Sequence, residues 1–134
     1  MNKPLRLYEA LYVSTMAPDE PLSVVGAIAA RARSHNEARQ LTGLLIFDGM
    51  RFCQQLEGHQ KDVLSLLDRI REDTRHTHVE ILHHGPLQAR RFNNFSLAYA
   101  PIDDVDALEA LEQLEGEAAV NAFLALLDTL DLQA

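Results

Sequence analysis

The sequence contains a single cysteine, Cys53, and no long hydrophobic run. One cysteine excludes an internal disulfide framework and favours a reducing compartment, so we expect a cytoplasmic protein in which Cys53 is a small core residue. No apolar segment approaches the roughly 18 residues that a membrane-spanning helix needs, and the N-terminus leads into a strand pattern instead of a signal peptide. The sequence therefore predicts a soluble protein that is not membrane-bound.

Basic residues are also scarce. There are 12 Lys and Arg against 20 Asp and Glu, and the formal net charge of −8 works against binding along a phosphate backbone. Direct binding of nucleic acid is therefore not expected. The arginines that do cluster could meet one phosphate-bearing ligand or could be solvated surface charges. They are Arg69, Arg71, Arg75, Arg90 and Arg91.

The sequence also lacks recognisable catalytic machinery. It has no Ser-His-Asp arrangement and no glycine-rich phosphate loop, and Glu57 and Asp73 are too scattered to argue for a carboxylate pair. No cysteine accompanies the histidines, and strand alternation separates His83 from His84, so a metal site is not expected. We therefore predict a protein that is not an enzyme.

Length and pattern indicate how the chain folds. At 134 residues and 47% hydrophobic, it suits one compact domain. Alternating and helical spacings predict the order β-α-β-β-α-β followed by a further strand, with the pair Asp48-Gly49 as the turn of a hairpin. The predicted strands are Leu5–Val13, Leu41–Phe47, Arg51–Glu57, His78–Leu82 and Phe92–Ala100. The first two predicted helices are Leu22–Asn36, which Asp19-Glu20-Pro21 opens, and His59–Asp73. This order is typical of a ferredoxin-like α+β fold with both helices on one sheet face.

Two more helices follow Pro101. Asp103 and Asp104 offer a cap for the third, Gly116 is a plausible residue to end it, and the fourth covers 118–132. We expect these helices to cover the second sheet face, with a dimer interface as the alternative. Residues 1–100 then form a ligand-binding core, and 101–134 form a helical extension of the same domain.

Gln54 is the most informative residue. Strand alternation places it on the same face as Phe52 and Leu56, where an amide needs partners. Tyr12 and Asn36 would add two more polar groups to that region. Each group alone is more commonly bonded to backbone, but a planar heterocycle between the two helices would satisfy all three together.

Several separated motifs resemble those of BLUF domains, which are blue-light sensors using FAD. They are Leu11-Tyr12-Val13-Ser14, Arg33-x-x-Asn36, Leu41-Thr42-Gly43-Leu44-Leu45, Phe52-x-Gln54-x-Leu56-Glu57-Gly58 and Arg69-Ile70-x-x-Asp73-x-Arg75-His76. The resemblance covers roughly residues 5–100 and is specific because the motifs occur together and in order.

The resemblance implies a flavin, FAD with FMN possible, held between the two helices. After light excitation Tyr12 would donate an electron and a proton, and Gln54 would rearrange its hydrogen bond to the flavin. Ile28 and Ile70 would flank the ring, and Arg75 and His76 would lie toward the ribityl and phosphate chain. The full set of implied cofactor contacts is Tyr12, Ile28, Ala32, Asn36, Phe52, Gln54, Ile70, Asp73, Arg75 and His76.

The sequence departs from the family pattern at three positions. Ala32 stands where many members have serine, and Phe95 and Leu97 replace a frequent Trp and Met on the last strand; the chain has no Trp at all. By the resemblance, Phe95 and Leu97 would relay the signal from the glutamine, so the departures concern output more than flavin binding.

Three functions compete on this basis. The first is a stand-alone blue-light photoreceptor that signals through an unidentified partner protein or its own homo-oligomer. The second is a BLUF-like interaction scaffold that has lost its photochemistry. The third is a small ferredoxin-like enzyme such as an acylphosphatase, which the loop 14–18 disfavours because it carries no arginine for phosphate.

Overall fold

The protein is described from a computed structural model that covers residues 7–18, 20–21, 23–92, 97–102 and 105–129. Five strands and four helices follow one another in these residues. The strands are β1 (Leu7–Met16), β2 (Thr42–Phe47), β3 (Arg51–His59), β4 (His76–Leu87) and β5 (Ala98–Pro101); the helices are α1 (Val24–Ala38), α2 (Gln60–Glu72), α3 (Val105–Glu112) and α4 (Gly116–Leu127).

The strands form one mixed sheet in the order β4-β1-β3-β2-β5. β1 pairs antiparallel with both β3 and β4, β2 pairs antiparallel with β3, and β5 runs parallel to β2. The three central strands are buried along most of their length because both sheet faces are covered. The predicted ferredoxin-like α+β fold is therefore confirmed, with β5 added beside β2.

The two sheet faces carry separate cores. α1 and α2 cover the face formed by Tyr12, Phe52 and Leu56. α3 and α4 cover the opposite face, where Cys53 is fully buried and burial raises the pKa of its thiol. This arrangement agrees with the predicted placement of helices on both faces. No helix in the described part of the chain is long and apolar enough to cross a membrane.

Several predicted boundaries were wrong. α1 begins at Val24, whose N–H donates to the carbonyl of Pro21 at 3.0 Å, so Glu20 and Pro21 precede the helix; Asp19 and Leu22 lie outside the described residues. β4 extends well past Leu82 because it continues to pair with β1 as far as Leu87. β5 begins at Ala98 instead of Phe92, whose ring is buried in the core beneath α3 and α4.

Two turns that contain glycine differ from the predicted structure. α3 ends at Glu112, and Gly116 is the first residue of α4 with φ of 62°, so it does not end α3. In the hairpin only Gly49 has positive φ, at 98°. The Asp48 carboxylate instead accepts the N–H groups of Met50 and Arg51 at 2.9 and 2.6 Å, which fixes the turn. Asp103, Asp104 and 130–132 lie outside the described residues.

Gly43 is expected to be intolerant of a side chain. A Cβ at this position on β2 would collide with the backbone carbonyl oxygen of Gln55, which the sheet holds in place. Gly43→Ala should therefore lower the free energy of unfolding by about 2 kcal/mol. Gly26→Ala is the matched control, because a Cβ on this exposed helical residue meets nothing within 4 Å. Gly26→Ala should raise the free energy of unfolding by about 0.5 kcal/mol. Urea unfolding of both variants measures the difference. Equal free energies of unfolding would contradict the expected clash at Gly43.

Candidate functional site

Tyr12 and Gln54 are brought together by strand register. The antiparallel pairing of β1 with β3 sets the two residues directly opposite each other. Side chains at such positions lie close on one sheet face, so the phenol can reach across to the amide. Tyr12 Oη donates to Gln54 Oε1 at 2.5 Å, and the two side chains are 1% and 4% exposed. Burial removes both groups from water, and each provides the hydrogen-bond partner that the other lacks.

The Tyr12 phenol keeps its proton. Burial raises the pKa of Tyr12 well above its usual range, and the neighbouring Cys53 and Asp73 raise it further. The neutral hydroxyl therefore acts as the donor in its bond to Gln54. With Oε1 accepting this bond, the donors that the Gln54 amide can present to another group are the N–H bonds on Nε2.

A cavity of ≈ 380 Å³ lies against this pair, between α1 and α2. Buried Tyr12 and Gln54 form its inner end, whereas Arg31 and Arg69 are exposed and face solvent. The residues that line the cavity are Tyr12, Ile28, Arg31, Ala32, His35, Gln54, Leu66, Arg69, Ile70, Asp73, Arg75 and His76.

Two apolar pairs form the walls. Ile28 and Ala32 are four residues apart on α1, and Leu66 and Ile70 are four residues apart on α2. In each helix this spacing stacks the two side chains on the same face. The cavity is therefore a slot with apolar sides and a polar inner end.

Asp73, Arg75 and His76 follow α2 and line one end of the slot. Arg75 binds the Asp73 carboxylate with its Nε at 3.0 Å and Nη2 at 2.7 Å, and these bonds lower the pKa of Asp73. His76 is buried, shares a 2.9 Å hydrogen bond with Ser14 Oγ, and packs 4.9 Å from the ring of Phe52. Burial lowers the pKa of His76, so the imidazole is neutral near pH 7.

A hydrogen bond joins the two helices beside the slot. Arg69 Nη1 on α2 lies 2.8 Å from His35 Nε2 on α1. Because a guanidinium can only donate, Nε2 must accept, and this requires a neutral imidazole. Burial lowers the pKa of His35, and the charges of Arg39 and Arg69 lower it further. The bond is therefore made near neutral pH and lost when His35 is protonated.

Most of the predicted cofactor contacts line this cavity. They are Tyr12, Ile28, Ala32, Gln54, Ile70, Asp73, Arg75 and His76. Asn36 and Phe52 are buried but lie outside the lining, Asn36 in the last turns of α1 and Phe52 between the rings of Phe47 and His76. Leu97 is buried and its carbonyl accepts from Arg33 Nε at 3.1 Å, whereas Phe95 lies outside the described residues.

Four lining residues were not predicted as cofactor contacts: Arg31, His35, Leu66 and Arg69. The sequence carried a signal for them. Arg31 and His35 share the helical stripe of Ile28 and Ala32, and Leu66 and Arg69 share that of Ile70 and Asp73. Each of the four lies three or four residues from a predicted contact on the same predicted helix, so helical spacing could have identified them.

The predicted arginine cluster is divided by the fold. Arg69 and Arg75 line the cavity, while Arg71 pairs with Asp68 at 3.7 Å on the outer side of α2. Arg90 and Arg91 bind Thr42 and Glu9 at 2.9 and 3.3 Å, away from the cavity lining. The five arginines therefore do not share one ligand.

The histidines of β4 are separated as alternation predicted. His83 Nε2 lies 3.2 Å from Glu9 Oε2, and His84 Nδ1 lies 2.5 Å from Tyr8 Oη, on opposite sides of the sheet. Among the residues that the structure describes, no group of three or more His, Cys, Asp or Glu side chains is arranged to hold a metal ion.

Comparison with known families agrees with this geometry. The model of the BLUF family, described as sensors of blue-light using FAD, matches residues 7–98. The chain therefore belongs to the BLUF family of blue-light flavin sensors, and the resemblance seen in its motifs is confirmed.

Two curated relatives illustrate the match. The chain is 32% identical over 100 residues to the blue light- and temperature-regulated antirepressor BluF of Escherichia coli (strain K12), covering 71% of this chain and 25% of the relative. It is 41% identical over 66 residues to photoactivated adenylate cyclase subunit beta of Euglena gracilis, covering 49% of this chain and 8% of the relative. The chain thus spans a quarter or less of these relatives.

Solved structures show the same architecture. The dark-state structure of BlrB, a BLUF protein, matches with a TM-score of 0.71 and 27% identity over 81% of this chain and 83% of that one. The photo-activated state of BlsA matches with a TM-score of 0.80 over 96% of this chain and 99% of that one. At 22% identity, the BlsA match shows the fold alone.

The cavity suits a flavin on physical grounds. Its volume of ≈ 380 Å³ lies within the range of small-molecule sites, and apolar side chains face each other from two helices, as a planar ring system requires. The inner end offers an amide that can both donate and accept, which matches the polar edge of such a ring. Arg31 and Arg69 on the solvent side could meet a phosphate.

The protein should lose stability on acidification below about pH 6.5. Folding lowers the pKa of His35 and His76, so the unfolded chain binds more protons than the folded chain in this range. Their contribution is complete above the unfolded pKa and is lost as the pH falls from that value through the lower pKa of the folded state. Urea unfolding between about pH 7.5 and about pH 5 should show the decrease.

His35→Gln tests the source of this dependence. The Gln oxygen can still accept from Arg69 but does not titrate, so the slope of stability against pH should become shallower. Burial raises the pKa of Glu57, so this group contributes to the pH dependence of stability with the opposite sign. Its contribution is the same in wild type and His35→Gln and does not affect the difference between their slopes. The same change at exposed His78 is the control and should keep the wild-type slope. Identical slopes for wild type and His35→Gln would contradict the assignment.

Proposed function

We propose that this chain is a blue-light photoreceptor in which Tyr12 and Gln54 are the photoactive residues of a bound flavin. The observation that carries the proposal is the buried 2.5 Å hydrogen bond between these two side chains at the inner end of a slot of suitable size. A bound flavin supplies the absorption of blue light and an electron acceptor.

Tyr12 supplies an oxidisable group with a transferable proton. Its hydroxyl is protonated in darkness, and its hydrogen already points at Gln54 Oε1. Because electron loss makes a phenol strongly acidic, the proton can leave along this bond without any movement of the backbone. Burial keeps water away from the pair, so the proton has few competing acceptors.

Gln54 supplies an amide that can exchange its roles. In darkness Oε1 accepts from Tyr12, and Nε2 provides donors to the slot. Rotation or tautomerisation of the amide exchanges donor and acceptor, which changes the bonds offered to the cofactor without breaking the fold. The reaction is therefore a rearrangement of hydrogen bonds that returns to its starting state, and no enzymatic activity is proposed for this chain.

The cofactor is proposed to be FAD, with FMN as the alternative. Ile28 and Ile70 would flank the ring, Ala32, Asp73, Arg75 and His76 would line its surroundings, and Arg31 and Arg69 would meet the phosphate chain. Asn36 and Phe52 would support the site from behind the lining, since both are buried beside it.

Output is proposed to pass through residues 97–129 to a partner protein or a second copy of this chain in the cytoplasm, without direct binding of nucleic acid. Leu97 is buried directly before β5, and β5 pairs with β2, whose Leu45 lies opposite Gln54. Residues 1–100 would act as the sensor and 101–134 as its helical extension.

A scaffold without photochemistry is the second candidate. Ala32 carries no hydroxyl and lines the slot one turn before Asn36, so the amide of Gln54 lacks a hydroxyl partner from this position. The buried Tyr12–Gln54 bond favours the photoreceptor, because an interaction scaffold does not require a phenol and an amide that face a slot.

Changing either photoactive residue should abolish the light response. Gln54→Leu removes the exchangeable amide and Tyr12→Phe removes the oxidisable hydroxyl, while both keep the volume of the slot nearly unchanged. We expect wild type to show a small reversible red shift of its flavin band after blue light, and both variants to bind flavin without this shift. Absorption spectra in darkness and after illumination measure it.

Tyr8→Phe is the matched control for this experiment. Tyr8 lies on the same strand and face as Tyr12 but outside the lining of the slot, so its variant should keep the shift. A wild-type shift in Gln54→Leu would contradict the assigned role. A flavin-bound wild type that does not shift would support the scaffold.

Arg31 is expected to recognise phosphate. Arg31→Ala should weaken the binding of FMN and FAD by about tenfold, since one charge-assisted hydrogen bond is worth roughly that amount. Binding of riboflavin, which lacks phosphate, should not change. Fluorescence titration of apoprotein with the three flavins gives the dissociation constants.

Arg71→Ala is the control, because Arg71 is on α2 but outside the lining of the cavity. It should leave all three dissociation constants at their wild-type values. An equal loss of riboflavin and FMN affinity in Arg31→Ala would show that Arg31 acts on the shape of the slot and not on phosphate.

A further inference from the structure

The connection between β4 and β5 has to cross the sheet, because these strands lie at opposite edges with β1, β3 and β2 between them. Part of this connection, Arg90 to Phe92, is described, and we call it the crossing segment. Phe92 is buried in the core beneath α3 and α4, so the crossing segment runs on that face and not on the face of the slot.

The crossing segment is bound to each of the three central strands. Arg91 Nε donates to Glu9 Oε1 on β1 at 3.3 Å. Arg90 Nη1 donates to Thr42 Oγ1 on β2 at 2.9 Å, and its Nη2 donates to the carbonyl of Gln40, just before β2, at 2.7 Å. Between them, β3 binds the segment through Glu57.

Glu57 makes the central attachment. Its carboxylate is fully buried, with 0% exposure, and accepts the backbone N–H of Arg91 at 3.0 and 3.1 Å and that of Phe92 at 3.0 Å. Arg90 also donates to the Glu57 backbone carbonyl at 3.2 Å. A buried carboxylate is costly unless such donors meet it, so this position constrains both β3 and the crossing segment.

The same strand carries the photoactive amide. Gln54 faces the slot, and the next residue, Gln55, faces the opposite side, where its Nε2 donates to Glu9 Oε1 at 2.7 Å. Arg91 connects this pair to Glu57, because its Nε donates to Glu9 Oε1 and its backbone N–H donates to the Glu57 carboxylate. A buried polar network of Glu9, Gln55, Glu57 and the crossing segment therefore begins one residue after Gln54 and ends at the chain that leads to β5.

We propose that Glu57 is a positioning residue for signalling, whose carboxylate fixes the crossing segment to β3 so that a rearrangement at Gln54 is passed to β5. The proposal rests on the proposed photoreceptor function for its light-dependent part only. In darkness it requires simply that Glu57 holds the segment. Glu57 does not touch the slot, so its role is to couple the photoactive strand to the opposite face.

The wild-type protein provides the first test. With flavin bound in darkness, the amides of Arg91 and Phe92 should exchange their hydrogens slowly, although these residues lie outside the strands and helices. Illumination should change the exchange of these two amides and of 98–101. Fast exchange at both amides in darkness overturns the proposal, whatever the light response of the flavin. A normal red shift with no light-dependent change at Arg91 or Phe92 overturns it too.

Glu57→Gln provides the second test. The amide keeps one oxygen acceptor but loses the negative charge that strengthens both bonds, and the second contact to the Arg91 N–H is replaced by a donor. Exchange at Arg91 and Phe92 should become about tenfold faster. The red shift should persist, because Tyr12 and Gln54 lie on the other face. The light-dependent change at 98–101 should fall to less than about half of its wild-type size.

Glu80→Gln is the control, since it makes the same chemical change at an exposed position of β4. It should match wild type in every readout. A Glu57→Gln protein with the full light-dependent change at 98–101 overturns the proposal. If this variant does not fold, the two wild-type measurements decide the question. A wild type that binds flavin but never shifts would end the proposed function, while slow exchange in darkness would still support the attachment by Glu57.

Discussion

The antiparallel register of β1 and β3 is the constraint on which the site depends. It sets Tyr12 opposite Gln54, and a slip by one residue would send the two side chains to opposite faces of the sheet. The register is fixed by burial on both faces, since each strand places apolar residues against α1 and α2 on one side and against α3 and α4 on the other. A packing requirement therefore holds a phenol and an amide at hydrogen-bonding distance.

β3 carries polar side chains into both cores, which is unusual for a central strand. Gln54 faces the slot, while Gln55 and Glu57 face the other side, and all three are nearly inaccessible to solvent. Each would destabilise the fold by about 1–3 kcal/mol if it lacked partners. Tyr12 donates to the Gln54 oxygen, Glu9 accepts from the Gln55 amide nitrogen, and the crossing segment donates to the Glu57 carboxylate. The strand therefore connects the slot face of the sheet to the opposite face through buried hydrogen bonds.

Local sequence pattern was a good guide to the elements and a partial guide to the site. Alternation and turn residues predicted the five strands and the order of the helices, because both report burial directly. The family resemblance predicted contacts that line the slot on both helices, whereas Arg31, His35 and Leu66 were missed and Arg69 was predicted only as part of an arginine cluster. The strand edges of β4 and β5 were wrong, because pairing with β1 extends β4 and the buried ring of Phe92 belongs to a connection.

The sequence by itself determined the family and the ferredoxin-like order of elements, and it predicted Tyr12 and Gln54 as polar residues of the buried sheet, since these depend on residue type and spacing along the chain. Only the tertiary structure decided that the clustered arginines separate, with Arg69 and Arg75 at the slot and Arg90 and Arg91 on the opposite side. It also showed that Glu57 attaches the crossing segment. The physical reason is that both facts depend on which strands become neighbours, and residues 34 positions apart, such as Glu57 and Arg91, meet only once the sheet has formed.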